Sequence, residues 1–213
     1  MLKALRLWWH GRSTRRKMDR VFSRGADPYR YAESPYERGR LDAMERALPE
    51  RCGRALEVGC AEGAFTSRLA ARSRSLAAVD ISEVALERAR KRLAAASNTD
   101  FFAGDVRLWS PPAGALFDVV VLGDVLYYLD KPLVQDEFLR TFDRIAGWLA
   151  PGATLLLAHG FAGAAERPGR EGYRKRFEER GLSLVSESVV GEGEAEGKVC
   201  CLLSVLRKPG EAR

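Results

Sequence analysis

Histidine is scarce in this sequence: among its 213 residues only His10 and His159 carry an imidazole. The four cysteines, Cys52, Cys60, Cys200 and Cys201, show no Cys-x-x-Cys spacing and no histidine at ligand distance. No metal centre is therefore expected, and the cysteines read as reduced small residues of a cytoplasmic protein. No uninterrupted apolar run approaches the roughly 20 residues that span a bilayer. The apolar part of the first segment is brief and no small-residue cleavage site follows it, which argues against a secretory signal. Internal repeats and long linkers are missing as well, so the length fits one domain with a well-buried core.

What is present is organised around Arg54-Ala-Leu-Glu-Val-Gly-Cys-Ala-Glu-Gly-Ala-Phe-Thr66. A short apolar strand runs into Gly59 and Gly63, and the pattern then turns helical through Phe65, Leu69 and Ala70. Such a strand, turn and helix at the end of a parallel strand is where an open sheet binds a nucleotide-like ligand. The middle glycine of a dinucleotide loop is replaced by Ala61, and the loop carries Glu57 and Glu62. These carboxylates would repel a pyrophosphate but suit an ammonium and a sulfonium, which makes S-adenosyl-L-methionine the leading cofactor.

Three more strand ends repeat the pattern. Leu76-Ala-Ala-Val-Asp80 ends in an acid 17 residues beyond Gly63, close to the spacing at which a carboxylate receives a ribose diol. Ile81 follows it, and Ser82 is a good N-cap for the next helix. Phe101-Phe-Ala-Gly-Asp105 places an acid where it can accept an adenine amino group, with the amide of Val106 beside the ring. Leu116-Phe-Asp-Val-Val-Val-Leu122 is apolar enough to be buried on both faces and opens into Gly123-Asp124-Val-Leu-Tyr-Tyr128. Residues 130–148 read as a helix that Leu149-Ala-Pro-Gly152 stops. A fifth strand ends in His159, a helix through Tyr173 and Phe177 ends at Gly181, and residues 182–190 and 198–207 form a hairpin around an acidic turn at 191–197. The expected fold is α/β: a doubly wound, seven-stranded, mostly parallel Rossmann-like sheet whose last strand is antiparallel.

The formal charge of +6 is concentrated in residues 1–26, which hold eight Lys or Arg and one acid, leaving the rest of the chain at −1. Leu2, Leu5, Trp8 and Trp9 recur at helical spacing among these cations. This basic amphipathic segment either folds back over the domain or stays a flexible tail; contact with an anionic membrane surface or an acidic partner ranks below these. Nucleic acid is an improbable partner, because the folded part shows no aromatic and basic motif for gripping bases. Residues 27–53 form an N-terminal cap region whose Tyr29, Tyr31 and Tyr36 either line an entrance to the site or pack a helix onto the sheet. Residues 54–207 form the catalytic domain.

On Asp27-Pro-Tyr-Arg30, Pro35-Tyr-Glu-Arg38, the stretch from Leu56 to Thr66, Phe117-Asp-Val-Val-Val121, Val125-Leu-Tyr-Tyr-Leu129 and Leu149-Ala-Pro-Gly152, the chain resembles the class I S-adenosylmethionine-dependent methyltransferases. Within them it is most similar to the nodulation protein NodS family, which N-methylates the amino sugar at the non-reducing end of a deacetylated chitin oligosaccharide. The resemblance covers roughly residues 27 to 207. It implies that Glu57, Gly59, Cys60 and Gly63 hold the methionine part of the cofactor, Asp80 the ribose, and Asp105 with Val106 the adenine. Asp124 stands where the family's fourth strand usually ends in a glutamate.

The activity so implied is methyl transfer to a small-molecule acceptor, the amine of an amino sugar or related saccharide. Asp124 and His159 are the candidates to take the acceptor's proton, with Tyr127 and Tyr128 positioning it. A structural histidine, and an Asp124 that only orients the cofactor's ammonium, remain open. O-methylation of a sugar or secondary metabolite is the nearest rival; an NAD-dependent oxidoreductase and a noncatalytic binding protein are rivals from other classes.

Overall fold

In this computed structural model, residues 2–25, 27–112, 114–191 and 199–210 are described. Seven strands form one sheet: β1 (Cys52–Val58), β2 (Ser73–Asp80), β3 (Thr99–Ala103), β4 (Phe117–Gly123), β5 (Leu149–Ala162), β6 (Ser183–Val190) and β7 (Val199–Arg207). Their order is β3-β2-β1-β4-β5-β7-β6. β7 is antiparallel to both neighbours and all other pairs are parallel. The helices are α1 (Leu2–Ser23), α2 (Pro35–Arg46), α3 (Thr66–Arg72), α4 (Glu83–Arg92), α5 (Leu126–Leu129), α6 (Gln135–Trp148) and α7 (Arg167–Glu178).

The period of two in β4 explains why the sheet carries helices on both faces. Val120 and Leu122 pack with Phe138, Phe142 and Phe177 of α6 and α7. Val119 and Val121 pack with Leu41 and Met44 of α2 and Leu69 of α3. A strand buried on both sides has no polar side to spare, so its reactive groups collect at its end.

The loops leaving the strands stay tied to the sheet. Gly59 and Cys60 donate to the Val79 carbonyl at 2.8 and 3.3 Å, Gly104 to that of Asp80 at 2.9 Å, and Asp124 to that of Ala158 at 2.9 Å. Each strand end therefore stands in fixed register beside the next. Ser82 caps α4 by accepting from the Ala85 amide at 3.2 Å, as expected of an N-cap.

Four boundaries differ from the sequence reading; one is the end of β5, which runs past His159 to Ala162. Residues 130–134 are not α-helical: Pro132 starts a short 3-10 turn, and α6 begins at Gln135. Leu149-Ala-Pro-Gly152 does not lie outside the sheet; Leu149 already pairs with Phe117, and a register shift absorbs the residues before Val119 meets Thr154. Cys52 pairs with Ser73, so β1 starts inside residues 27–53, which the sequence reading gave to the cap region. The acidic turn of the hairpin falls on residues 191–197, of which only Gly191 lies within the described residues.

The basic first segment is one helix seated on the domain. Leu7, Met18 and Phe22 are buried, and Phe22 packs edge-on to Tyr29 with ring centroids 5.7 Å apart. Asp19 accepts the Ser82 hydroxyl hydrogen at 2.6 Å, fastening α1 to the start of α4.

Candidate active site

A cavity of about 400 Å³ opens at the carboxyl ends of β1, β2 and β4, beneath α1 and α2. Glu57, Gly59, Cys60, Asp80, Ile81, Asp105, Val106, Gly123, Asp124, Tyr29, Tyr31, Tyr36, Tyr127 and Tyr128 all line it. Residues from four strand ends and from the cap region thus meet at one place. Gly63 and His159 do not line it.

Glu57 is 4% exposed, and its Oε2 is buried with no partner among the described residues. Burial pushes its carboxyl up to about 8, with the charge of Asp80 adding to the rise and Thr66 opposing it. An orphaned carboxylate oxygen in a cavity wall fits a ligand that brings an ammonium group. Gly59 has φ +80, and a Cβ there would stand 3.0 Å from the Gly123 carbonyl and 3.3 Å from Val125 Cβ, so the chain keeps its backbone exposed to the cavity with no side chain.

Asp80 accepts from the Ala61 amide at 2.9 Å and the Ser82 amide at 2.8 Å, one bond to each oxygen. Those bonds fix the carboxylate plane and leave lone pairs for a diol. Its carboxyl is nevertheless raised by burial. Asp105 is committed more strongly: Oδ1 accepts from the amide and Nε of Arg107 at 3.0 and 2.9 Å, and Oδ2 from Nη2 at 2.5 Å. Any ligand donor that meets Asp105 shares that carboxylate with a fully buried guanidinium.

The other half of the cavity is built around a residue that the sequence reading passed over. Arg40 of α2, 5% exposed, bonds Asp124 Oδ2 at 3.0 Å and Glu37 Oε2 at 2.8 Å. Asp124 has φ +50, a left-handed conformation that aspartate tolerates better than most residues. Its Oδ1 accepts from the Gly160 amide at 2.6 Å, so both oxygens are held. Arg170 of α7 lies 4.7 Å from the centroid of the Tyr127 ring and bonds the Gly160 carbonyl at 2.8 Å. Nothing marks Arg40 in a chain with 35 Lys and Arg; its i,i+3 spacing from Glu37, itself three residues after the cap Ser34, is the one available signal. Glu37 does not reach back to the cap; Arg40 draws it into the cavity wall.

His159 stands behind this wall, outside the cavity lining. It is buried, its Nε2 accepts from the Leu126 amide at 3.4 Å, and its ring packs against Tyr127 and Tyr173. Burial lowers it to about 4. Held there, the imidazole supports the start of α5, and it reaches the cavity only through the Tyr127 ring packed against it. Gly63 has φ +79, and a Cβ would meet Leu93 at 2.9 Å and Ala89 at 3.2 Å. Its glycine serves the packing of the loop on α4. The sequence reading also missed Thr14, Met18 and Phe22 of α1, which close the cavity from above.

Sheet order, strand-end carboxylates and a cavity prepared for a cationic ligand define an S-adenosylmethionine-dependent methyltransferase. The N-methyltransferase NodS of Bradyrhizobium japonicum WM9, solved in complex with S-adenosyl-L-homocysteine, is 29% identical with a TM-score of 0.79, covering 92% of this chain and 98% of that one. Nodulation protein S of Sinorhizobium fredii is 30% identical over 193 residues, 85% of this chain and 83% of its own length. That of Bradyrhizobium diazoefficiens is 33% identical over 197 residues, 87% and 88% respectively. The model of the nodulation protein S (NodS) family matches residues 15–213, and the chain belongs to that family. The match begins inside α1, in a segment that the sequence resemblance had left outside.

No helix among the described residues is long and apolar enough to cross a membrane, and no group of three His, Cys, Asp or Glu among them is placed to hold a metal.

Proposed function

We propose that this methyltransferase acts on the free amine of an amino sugar or related saccharide. The observation that carries the reading is the chemistry of the acceptor half of the cavity: Glu37 and Asp124 flank Arg40 beside the rings of Tyr31, Tyr36 and Tyr127. Tyrosine faces suit the apolar side of a sugar ring, and fixed carboxylates suit its hydroxyls and amine. Burial raises the phenols of Tyr31, Tyr36 and Tyr127, which therefore stay protonated and serve as hydrogen-bond donors. Family membership supports the same reading, since the NodS of known structure is described as an N-methyltransferase.

In this proposal Glu57, Gly59 and Cys60 receive the amino-acid end of the cofactor, Asp80 and Ile81 the ribose, and Asp105, Val106 and Gly123 the adenine and its surroundings. When bound, S-adenosylmethionine supplies an electrophilic methyl on a sulfonium and leaves as a neutral thioether. The residues around it then act by placing the acceptor in line and excluding water. Glu37, Asp124 and Glu166 against Arg40 and Arg170 leave one net negative charge at the acceptor side. That charge holds an amine close and offers Asp124 or Glu37 as the first stop for its proton. Tyr29 and Tyr128 complete the wall between the two halves.

The test is methyl transfer to chitosan oligosaccharides with a free terminal amine, against the same oligosaccharides N-acetylated. Transfer confined to the free amine, with the label recovered as N-methylglucosamine after acid hydrolysis, supports the proposal. Label recovered on oxygen, or equal transfer to both, defeats it.

A further inference from the structure

The outer face of α1 has no role in the cavity. Its inner face buries Leu7, Met18 and Phe22, yet on the opposite side Leu2, Leu5, Trp8 and Trp9 are 70%, 51%, 50% and 55% exposed. At 100° per residue, Leu5, Trp9, Arg12, Arg16 and Arg20 share one arc facing away from Met18. The one acid of the helix, Asp19, is turned inward to Ser82. Past the end of α1, Arg24 shares a shallow groove with Arg88, Lys91 and Arg92 of α4, where the one acid, Glu62, is paired with Arg88 at 3.2 Å.

We propose that this face docks the enzyme on an anionic lipid bilayer, with the leucines and tryptophans entering the headgroup boundary and the arginines meeting the lipid phosphates. The arrangement suits an interfacial helix: the apolar residues gather at its first half, and the cations run along the same arc to Arg20. Aromatic indoles favour the boundary between headgroups and chains. A nucleic acid would use the cations, but it offers nothing to Leu2, Leu5 and Trp9. A second copy of the chain would bring the same positive face and be repelled.

Sedimentation of the full-length protein with vesicles tests the proposal, using phosphatidylcholine alone and phosphatidylcholine mixed with phosphatidylglycerol. Binding to the mixed vesicles is expected, weakened by salt, and at least about tenfold tighter than to the neutral ones. Leu5→Ala with Trp9→Ala should weaken partition about tenfold or more, and Arg12→Gln with Arg16→Gln by a similar factor. Both pairs should leave S-adenosylhomocysteine affinity unchanged, because neither touches the cavity. Three results would overturn the idea. They are failure to bind the mixed vesicles at low salt, full retention of binding by the Leu5 and Trp9 variant, and a gel-filtration dimer that this variant dissolves. The second would point to a polyanion recognised by charge alone, and the third to self-association.

Discussion

At the scale of single residues, the proposed place of Glu57 joins cofactor binding to a proton. In the free protein burial holds its carboxyl at about 8, so near pH 7 the group is mostly protonated. An ammonium beside it requires the ionised form, and binding must expel the proton. Affinity for S-adenosylhomocysteine is therefore expected to rise with pH toward 8, by up to about tenfold per unit, and to level off above it. Calorimetry near pH 7 in buffers of different ionisation enthalpy should show close to one proton released by the wild type and none by Glu57→Gln. Affinity independent of pH would remove Glu57 from the ammonium site. The same burial has the opposite effect on the empty protein: the unfolded carboxyl ionises lower, so stability from this group is greatest at low pH and declines as pH rises from the ordinary carboxylate range to about 8.

Arg40 is the complementary case. Its guanidinium is raised still further by Asp124 and Glu37, against the opposing effect of burial, and it stays charged at any working pH. Arg40→Ala strands two carboxylates in a largely buried place and should cost about 3 kcal/mol of stability, as removal of one partner of a buried pair does. Glu37→Gln in the same background should recover part of that loss, since one of the stranded charges is then gone. Denaturant unfolding of both variants measures this; equal stability of the single and double variants would mean the triad is not coupled.

At the scale of elements, Gly63 links the cofactor loop to α4. An alanine there must take φ +79 and press against Leu93 and Ala89, which should cost about 2 kcal/mol. A domain of this length loses roughly 2 to 4 °C in melting temperature per kcal/mol, so a fall of about 4 to 8 °C is expected in a thermal melt of Gly63→Ala. An unchanged melt would show that the loop relaxes freely. The strands and their terminal acids were legible in the sequence because a buried parallel strand has a short apolar signature and a glycine or an acid where it ends. Boundaries were less so where proline and the sheet compete: Pro132 delays α6, whereas Pro151 does not stop β5 because Leu149 has already paired with Phe117. The amphipathic pattern of α1 was visible, but not the surface it covers. That depends on Phe22 meeting Tyr29 and Asp19 meeting Ser82, contacts across more of the chain than a periodicity can report. Arg40 stayed hidden for the same reason, since its partner Asp124 lies 84 residues away.

For the whole molecule, the cavity is a joint between three layers: the sheet supplies the strand-end carboxylates, α2 and the tyrosine loop supply one wall, and α1 supplies the roof. A ligand filling such a joint touches all three and stabilises the folded chain as one unit. At a concentration one hundred times its dissociation constant it contributes about 2.7 kcal/mol, or roughly 5 to 10 °C in melting temperature for a domain of this size. S-adenosylhomocysteine is expected to produce that shift and NAD none, because the loop that lacks a middle glycine turns Glu57 into the cavity where a dinucleotide would bring its phosphates; Glu62 of the same loop faces away and pairs with Arg88 at 3.2 Å. Asp80→Ala should cut the shift at fixed ligand concentration by removing the diol contact, while Trp9→Ala on the outer face of α1 should leave it intact. A shift with NAD as large as that with S-adenosylhomocysteine would contradict the charge argument from which the cofactor was first inferred. A shift insensitive to Asp80 would move the ribose elsewhere in the cavity and leave Asp80 as the fastening of the Ala61 and Ser82 amides alone.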